Sequence, residues 1–443
     1  MKSTNNILMK LSVTMFLFVS VQLVSSFAVA FPTMKWCTTW KTEYEDAGYG
    51  EDHFASTSRM SRPAAYTVYK LVDLTHNQAI YSGVLDSDGC THDIGVIANT
   101  SYKFIQYAHV VRADRQIKIL ADSSVAEQPP WTSNTTKSFN NYYVTGNLSD
   151  TQYTYTFTPY NTYLGNIMAI AGRIVQNYST YGMRPGNTIR IHTDAVNCRL
   201  GGGGGAYAYR NNVCLAPGEW DDPSDYKYIV GHEIGHSVLW EVVQEVPTNG
   251  MYDFNASSSQ TRCLCNHVST GVKSHCLGSR ELIEAAIYEG HGHFFATMLF
   301  NNRTEDNGTY VYPKEAWDWI DGQWDTDSPP VKWKAYRSNN SEQVTDRWME
   351  KNCNPGTEDR GVEADWLRFN YELWTTGSDN YSSTDIMSVS DRTYNTYGGW
   401  KWNYHKQAAT DFASQGVFSQ DKADLYREKG EEMGVDHFSN PRQ

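Results

Sequence analysis

The most informative segment of this 443-residue chain is Ile229-Val230-Gly231-His232-Glu233-Ile234-Gly235-His236-Ser237-Val238-Leu239. Apolar residues flank it on both sides, which is typical of a buried helix, and we predict a helix over residues 226–243. His232 and His236 are four residues apart, so a helix directs both imidazoles to the same side. Two neutral imidazoles at this spacing can chelate one Zn²⁺. Gly235 would allow a neighbouring element to approach the helix closely.

Glu233 follows the first of these histidines, where its carboxylate can reach a metal-bound water without binding the metal. A catalytic Zn²⁺ needs three protein ligands and one open position for that water. The metal lowers the pKa of the water to about 7, and a nearby carboxylate can then take its proton. The sequence therefore predicts a zinc site suited to metal-assisted hydrolysis, with Glu233 as the catalytic residue.

The His232-Glu233-x-x-His236 pattern resembles that of the zincin superfamily of metallopeptidases. The metzincin branch needs a glycine and a further histidine soon after the second histidine, and Ser237-Val238-Leu239-Trp240-Glu241-Val242 excludes it. The gluzincin branch takes a glutamate from a later helix, and Tyr288-Glu289-Gly290-His291-Gly292-His293-Phe294 is similar to that element. The resemblance covers these two helices only. It implies Glu289 as the third ligand, and a zinc-dependent endopeptidase that hydrolyses peptide bonds of a protein or peptide substrate by a metal-activated water.

Two histidines beside Glu289 leave alternatives open for the third ligand, because His291 or His293 could replace it. His293 lies four residues after Glu289, where thermolysin-like gluzincins have an acidic residue that supports a ligand histidine. It could therefore support a ligand or stabilise an oxyanion instead. His291 stands between two glycines, and the simpler expectation is that it faces solvent.

The two sides of residue 155 differ in pattern. Short runs that alternate in polarity, separated by turns, predict a β-sandwich domain over residues 31–155. Helical periodicity follows, so the fold class we expect is α+β, with a zincin-like metallopeptidase domain over residues 156–443. Strands are predicted within 65–72, 81–85, 102–108, 188–192 and 206–209, and helices at 163–178, after an N-cap at Ser279, and at 341–351, 362–374 and 421–433.

Residues 1–30 have the features of a secretory signal peptide. Lys2 and Lys10 precede an apolar run over residues 11–24, and Ala28-Val29-Ala30 offers a cleavage site. An uncleaved membrane anchor is the alternative. We expect a secreted protein, extracellular or periplasmic, without membrane association after signal cleavage. The net charge of −13 argues against a nucleic-acid partner.

Eight cysteines in an exported chain indicate disulfide bonds. The local pairs that we predict are Cys37–Cys90 and Cys198–Cys214, the second joining two strands across the glycine loop at residues 201–205. The other four are Cys263, Cys265, Cys276 and Cys353. With nearby histidines, the cluster at residues 263–276 could instead hold a second, structural zinc. An inhibitory pro-segment in which Cys37 blocks the zinc is another alternative.

Two other classes of function compete with the peptidase. One is a secreted glycan- or protein-binding protein with a degenerate zinc site, in which the N-terminal sandwich and the aromatic-rich tail would recognise glycans or proteins. The acidic and aromatic residues at 315–327 could line a substrate groove or stack on sugar rings, although a packed loop cluster is the simpler expectation. The other is a structural zinc site with four protein ligands. Neither needs a carboxylate at position 233, so Glu233 favours the enzyme.

Overall fold

The structure is a computed structural model that describes residues 32–42, 60–120, 136, 138–144, 153–157, 162–193, 206–215, 227–244, 280–300, 360–378 and 380–436. The predicted signal peptide, glycine loop and cysteine cluster lie outside the described residues. So do Cys198, Cys353, the acidic and aromatic segment at 315–327, and the helix expected at 341–351. Within the described residues the fold is mixed α+β, as predicted.

The described strands and helices follow one another from an all-β part to a mainly helical part. The strands are β1 (Thr33–Thr42), β2 (Met60–Pro63), β3 (Thr67–Asp73), β4 (Gln78–Val84), β5 (Ile94–Gly95), β6 (Ser101–Arg112), β7 (Arg115–Leu120), β8 (Ser138–Val144), β9 (Tyr153–Phe157), β10 (Thr188–His192), β11 (Ala206–Tyr209), β12 (Asn212–Leu215), β13 (Arg280–Leu282) and β14 (Arg360–Val362). The helices are α1 (Thr162–Gln176), α2 (Lys227–Val243), α3 (Ile283–Phe300), α4 (Glu363–Thr375), α5 (Ser383–Tyr397), α6 (Trp402–Ser414) and α7 (Gln420–Met433).

The larger sheet has the strand order β11-β12-β10-β7-β6-β3-β4. β6 is long enough to pair with β8 through its first half and with β7 through its last residues. The smaller sheet has the order β2-β1-β5, with β9 parallel to β1 on the other side. Each of the five strands predicted from the sequence overlaps an observed strand, and these are β3, β4, β6, β10 and β11.

The two sheets contact each other through the alternate, buried side chains of β1 and β6. The ring of Trp36 lies 6.2 Å from that of Tyr102 and 6.3 Å from that of Phe104. Thr38 donates a hydrogen bond of 2.9 Å to Gln106 across the same interface. The predicted Cys37–Cys90 disulfide is present and ties β1 to the turn after β4. Cys214 is also disulfide-bonded.

The larger sheet includes strands from both sides of residue 155, the expected domain boundary. β10 pairs in parallel with β7, and β12 and β11 extend the sheet beyond β10. α1 packs on β1 and β6, and one hydrophobic core runs from Met34 to Val435. The boundary at 155 stays a prediction, but the sheet and the core are shared by residues on both of its sides.

Two strands next to the helices differ from what the sequence predicted. Ser279 lies outside the described residues, but the helix expected after it begins only at Ile283, because residues 280–282 form β13. β13 pairs antiparallel with β14, which immediately precedes α4. This pairing places the start of α4 beside the start of α3.

The C-terminal helices only partly match the prediction. α4 and α7 agree with the predicted 362–374 and 421–433 to within one residue at each end, whereas α5 and α6 were not predicted. α5 is rich in Ser, Thr and Asp, but it has a complete capping box between Ser382 and Asp385 and ends at Gly398 in the left-handed conformation. None of the helices in the described part of the chain is both long and apolar enough to cross a membrane.

Candidate metal centre

The three residues predicted as ligands lie together between α2 and α3. Nε2 of His232 and Nε2 of His236 are 2.9 Å apart, and each lies 3.1 Å from Oε2 of Glu289. All three side chains are buried, and they form the one group of metal-ligand type found among the described residues. We call His232, His236 and Glu289 the His-His-Glu group.

The spacing and chemistry of the His-His-Glu group fit a metal ion. Two nitrogens bound tetrahedrally to zinc at ~2.0–2.1 Å would be about 3.3 Å apart, close to the separation observed. Burial, followed by the neighbouring histidines His293 and His236, lowers the pKa of His232 to about 3, which keeps its ring neutral. In the tautomer that a metal-binding imidazole adopts here, with the proton on Nδ1, the two Nε2 lone pairs and the Glu289 carboxylate face one another, and a cation between them would relieve that repulsion.

Glycines on α2 allow α3 to pack directly against it. A Cβ atom on Gly235 would lie 2.7 Å from Cβ of Phe295, and one on Gly231 would lie 3.2 Å from Cα of Ala296. The prediction that Gly235 permits a close approach is therefore confirmed. This contact brings Glu289 on α3 within reach of both histidines on α2.

One face of α3 contacts both imidazoles of the His-His-Glu group. The Tyr288 ring stacks on the His236 ring with centroids 4.1 Å apart and planes 3° from parallel, and the His293 ring lies 4.3 Å from that of His232. A Cβ on Gly292 would be 2.8–2.9 Å from ring atoms of both ligand histidines. The two imidazoles are thus packed against α3 on several sides.

Glu233 is buried next to the His-His-Glu group, near two tyrosines that the sequence had not indicated. Burial and then the charge of Glu233 raise the pKa of Tyr207, on β11, well above its ordinary value. Burial, followed by the charges of Glu289 and Glu233, raises the pKa of Tyr288. The Tyr288 hydroxyl has no hydrogen-bond partner within the described ranges. Tyr288 could have been noticed beside Glu289, whereas Tyr207 is brought near Glu233 only by the packing of β11 on α2.

His291 and His293 do not belong to the His-His-Glu group. The expectation that His291 faces solvent was wrong, because its side chain is only 2% exposed and lies against Phe294 and Phe295. α3 is covered by other elements on all sides, so the flanking glycines mark close helix contacts and not an exposed turn. Burial lowers the pKa of His291 to about 3.

Glu363 is a further residue of the site that the sequence analysis missed. It is the first residue of α4, its side chain is 1% exposed, and its Oε2 lies 3.5 Å from Nε2 of His293. Residues 293 and 363 are brought together by the pairing of β13 with β14. This long-range contact follows no sequence spacing, so the sequence alone could not predict it.

No protein-family model matches this chain, and no curated protein matches it either. The residues that bear on function are therefore those that its own structure brings together. They are the buried His-His-Glu group, Glu233 on the same helix as the two histidines, and the neighbouring Tyr207, Tyr288 and His293.

Proposed function

We propose that this protein is a zinc-dependent endopeptidase in which His232, His236 and Glu289 hold the metal and Glu233 is the catalytic base. The observation that carries the proposal is the buried His-His-Glu group with Glu233 one residue after its first ligand. Three protein ligands are the number that a catalytic zinc site uses, whereas structural sites use four. A protein or peptide substrate follows from the resemblance to zincins.

A bound Zn²⁺ would lower the pKa of a coordinated water to about 7 and polarise the scissile carbonyl. Glu233 takes the proton from the attacking water and later passes it to the nitrogen of the leaving group. Glu233 is buried and follows His232 directly on α2.

The finer features of the fold and location belong to the same proposal. We take residues 156–443 as the zincin-like region, which the packing of α2 on α3 and on β11 supports. The contact between the two sheets supports an N-terminal sandwich built mainly from residues 31–155, with β10, β11 and β12 extending its larger sheet. Secretion is supported by the Cys37–Cys90 disulfide, since such bonds persist in oxidising compartments.

Glu233→Gln tests the proposed chemistry. The zinc-loaded variant should retain its metal and lose hydrolysis of a mixed peptide library by about 10²–10⁴-fold, because the general base is gone. Glu241→Gln is the matched control, since Glu241 is also buried on α2 but lies near Arg184, away from the group. Cleavage products would be followed by mass spectrometry.

Two results would count against the peptidase. Equal product formation by wild type and Glu233→Gln would remove the catalytic role of Glu233. A zinc-loaded wild type that cleaves no peptide in the library would favour a structural zinc or a binding protein instead.

A further inference from the structure

Glu363 is a buried carboxylate that the proposed chemistry does not use. The β13–β14 pair and Gly290 together bring it to α3. A Cβ on Gly290 would lie 2.4 Å from Cβ of Trp366 and 2.9 Å from the backbone oxygen of Glu363, so the glycine permits this contact. A carboxylate in the first turn of α4 is also favoured by the helix dipole.

A chain of contacts leads from Glu363 to the His-His-Glu group. Oε2 of Glu363 lies 3.5 Å from Nε2 of His293, and the His293 ring lies 4.3 Å from the His232 ring at 54°. Nε2 of His232 is in turn 3.1 Å from Glu289. The three helices α4, α3 and α2 are therefore linked through side chains at the centre of the site.

Ring contacts matter for the two histidines of the proposed site, because within the described residues the second ring nitrogen of each has no hydrogen-bond partner. A metal-binding histidine usually donates its other ring N–H to a carboxylate, carbonyl or water, and this fixes the ring. Nδ1 of His232 and Nδ1 of His236 are buried without such a partner in the part of the chain that the structure describes. Packing against Tyr288, Gly292 and His293 orients the two rings instead.

We propose that Glu363 is a positioning residue that acts through His293 on the ligand ring of His232 and so sets the metal affinity of the site. This inference rests on the metal site of the proposed function. The buried carboxylate holds the His293 ring, and the His293 ring limits the orientations of the His232 ring.

Glu363→Gln keeps the shape of the side chain and removes its charge. The dissociation constant for zinc, measured by competition with a chromophoric chelator, should rise about tenfold, as is usual when outer partners of metal ligands are lost. Asp365→Asn is the matched control. Asp365 is a buried carboxylate in the same first turn of α4, but its oxygen pairs with Arg368 at 3.6 Å. This control should leave the zinc affinity unchanged.

A double-mutant cycle tests whether Glu363 acts through His293. His293→Phe keeps a ring against His232 and removes Nε2, so it should weaken zinc binding about as much as Glu363→Gln. The double variant should be no weaker than either single variant. The visible spectrum of bound Co²⁺ should change in Glu363→Gln and not in Asp365→Asn, which a general loss of stability would not produce.

The possible results separate this inference from the proposed function. A wild type that binds no zinc overturns both. A wild type that binds zinc, with Glu363→Gln equal to it or with additive effects in the cycle, overturns the role of Glu363 alone. Should Glu363→Gln fail to fold, Glu363→Asp withdraws the carboxylate from His293 and should give the same weakening; unchanged affinity there would also overturn the inference.

Discussion

Gly292→Ala is expected to weaken metal binding at the proposed site without replacing any proposed ligand. The added Cβ would lie 2.8 Å from Cε1 of His236 and 2.9 Å from both Cε1 and Nδ1 of His232. Carbon atoms in contact prefer separations of about 3.5–4.0 Å, so each contact is too short by roughly 0.6 Å or more. Neither ring can move away without displacing a nitrogen of the His-His-Glu group.

The size of the effect follows from this overlap. Inserting a methyl group into a well-packed interior costs about 1–3 kcal/mol. In the metal-free protein the imidazoles can turn to relieve the overlap, but zinc binding requires them to return. The strain then appears in the binding free energy, and 1–3 kcal/mol corresponds to about 5- to 150-fold weaker zinc binding.

The assay is zinc affinity by chelator competition, with Gly172→Ala on α1 as control. A Cβ on Gly172 would meet only the backbone oxygen of Ala65 at 3.5 Å, an ordinary contact. Replacing this helical glycine should raise the free energy of unfolding by about 0.5–1 kcal/mol and leave zinc affinity unchanged. Wild-type zinc affinity in Gly292→Ala would refute the packing of α3 against the two ligand rings.

Two further predictions concern stability. Burial raises the pKa of Glu241 from 4.5 to about 7, so its contribution is fully present below about pH 4.5 and is lost as the pH rises through 7. Glu241→Gln should therefore raise the free energy of unfolding by roughly 3 kcal/mol at pH 8 and change it little at pH 4. Urea titrations of both proteins at the two pH values would measure this. An equal difference at both pH values would contradict the prediction. Replacing Cys37 and Cys90 together by Ser opens a loop with a sequence separation of 53 and should lower the free energy of unfolding by about 4 kcal/mol, and an unchanged unfolding midpoint would contradict that.

Local sequence patterns predicted the elements whose partners are near in the chain or whose periodicity is strong. The apolar flanks of His232 to His236 indicated α2, and the alternation in β3 and β6 indicated strands. Glu289 was singled out as a candidate ligand because the resemblance to zincins supplied a pattern that spacing alone does not, and the structure places it beside His232 and His236. The Cys37–Cys90 disulfide was predicted because these two cysteines are neighbours in the order of cysteines along the chain.

Features that depend on distant contacts were missed. Glu363 reaches His293 because β13 pairs with β14, and neither strand has more than three residues. β13 also occupies residues 280–282, where the sequence predicted the start of a helix, because these residues pair with β14. The burial of His291 was misjudged because α3 is buried on nearly every face, so its sequence shows no one-sided apolar period from which the buried face could be predicted. The continuation of the sheet through β10 likewise depends on a parallel pairing with β7 that no local pattern shows.

The most direct test of the proposed metal centre is the zinc content of the purified protein, measured by elemental mass spectrometry for wild type and Glu289→Ala. One zinc per wild-type chain and a clear loss in the variant are the results that we predict, because Oε2 of Glu289, the proposed third ligand, lies 3.1 Å from Nε2 of both histidines. Wild type without zinc after zinc is supplied, or Glu289→Ala that retains a full equivalent, would contradict the His-His-Glu site.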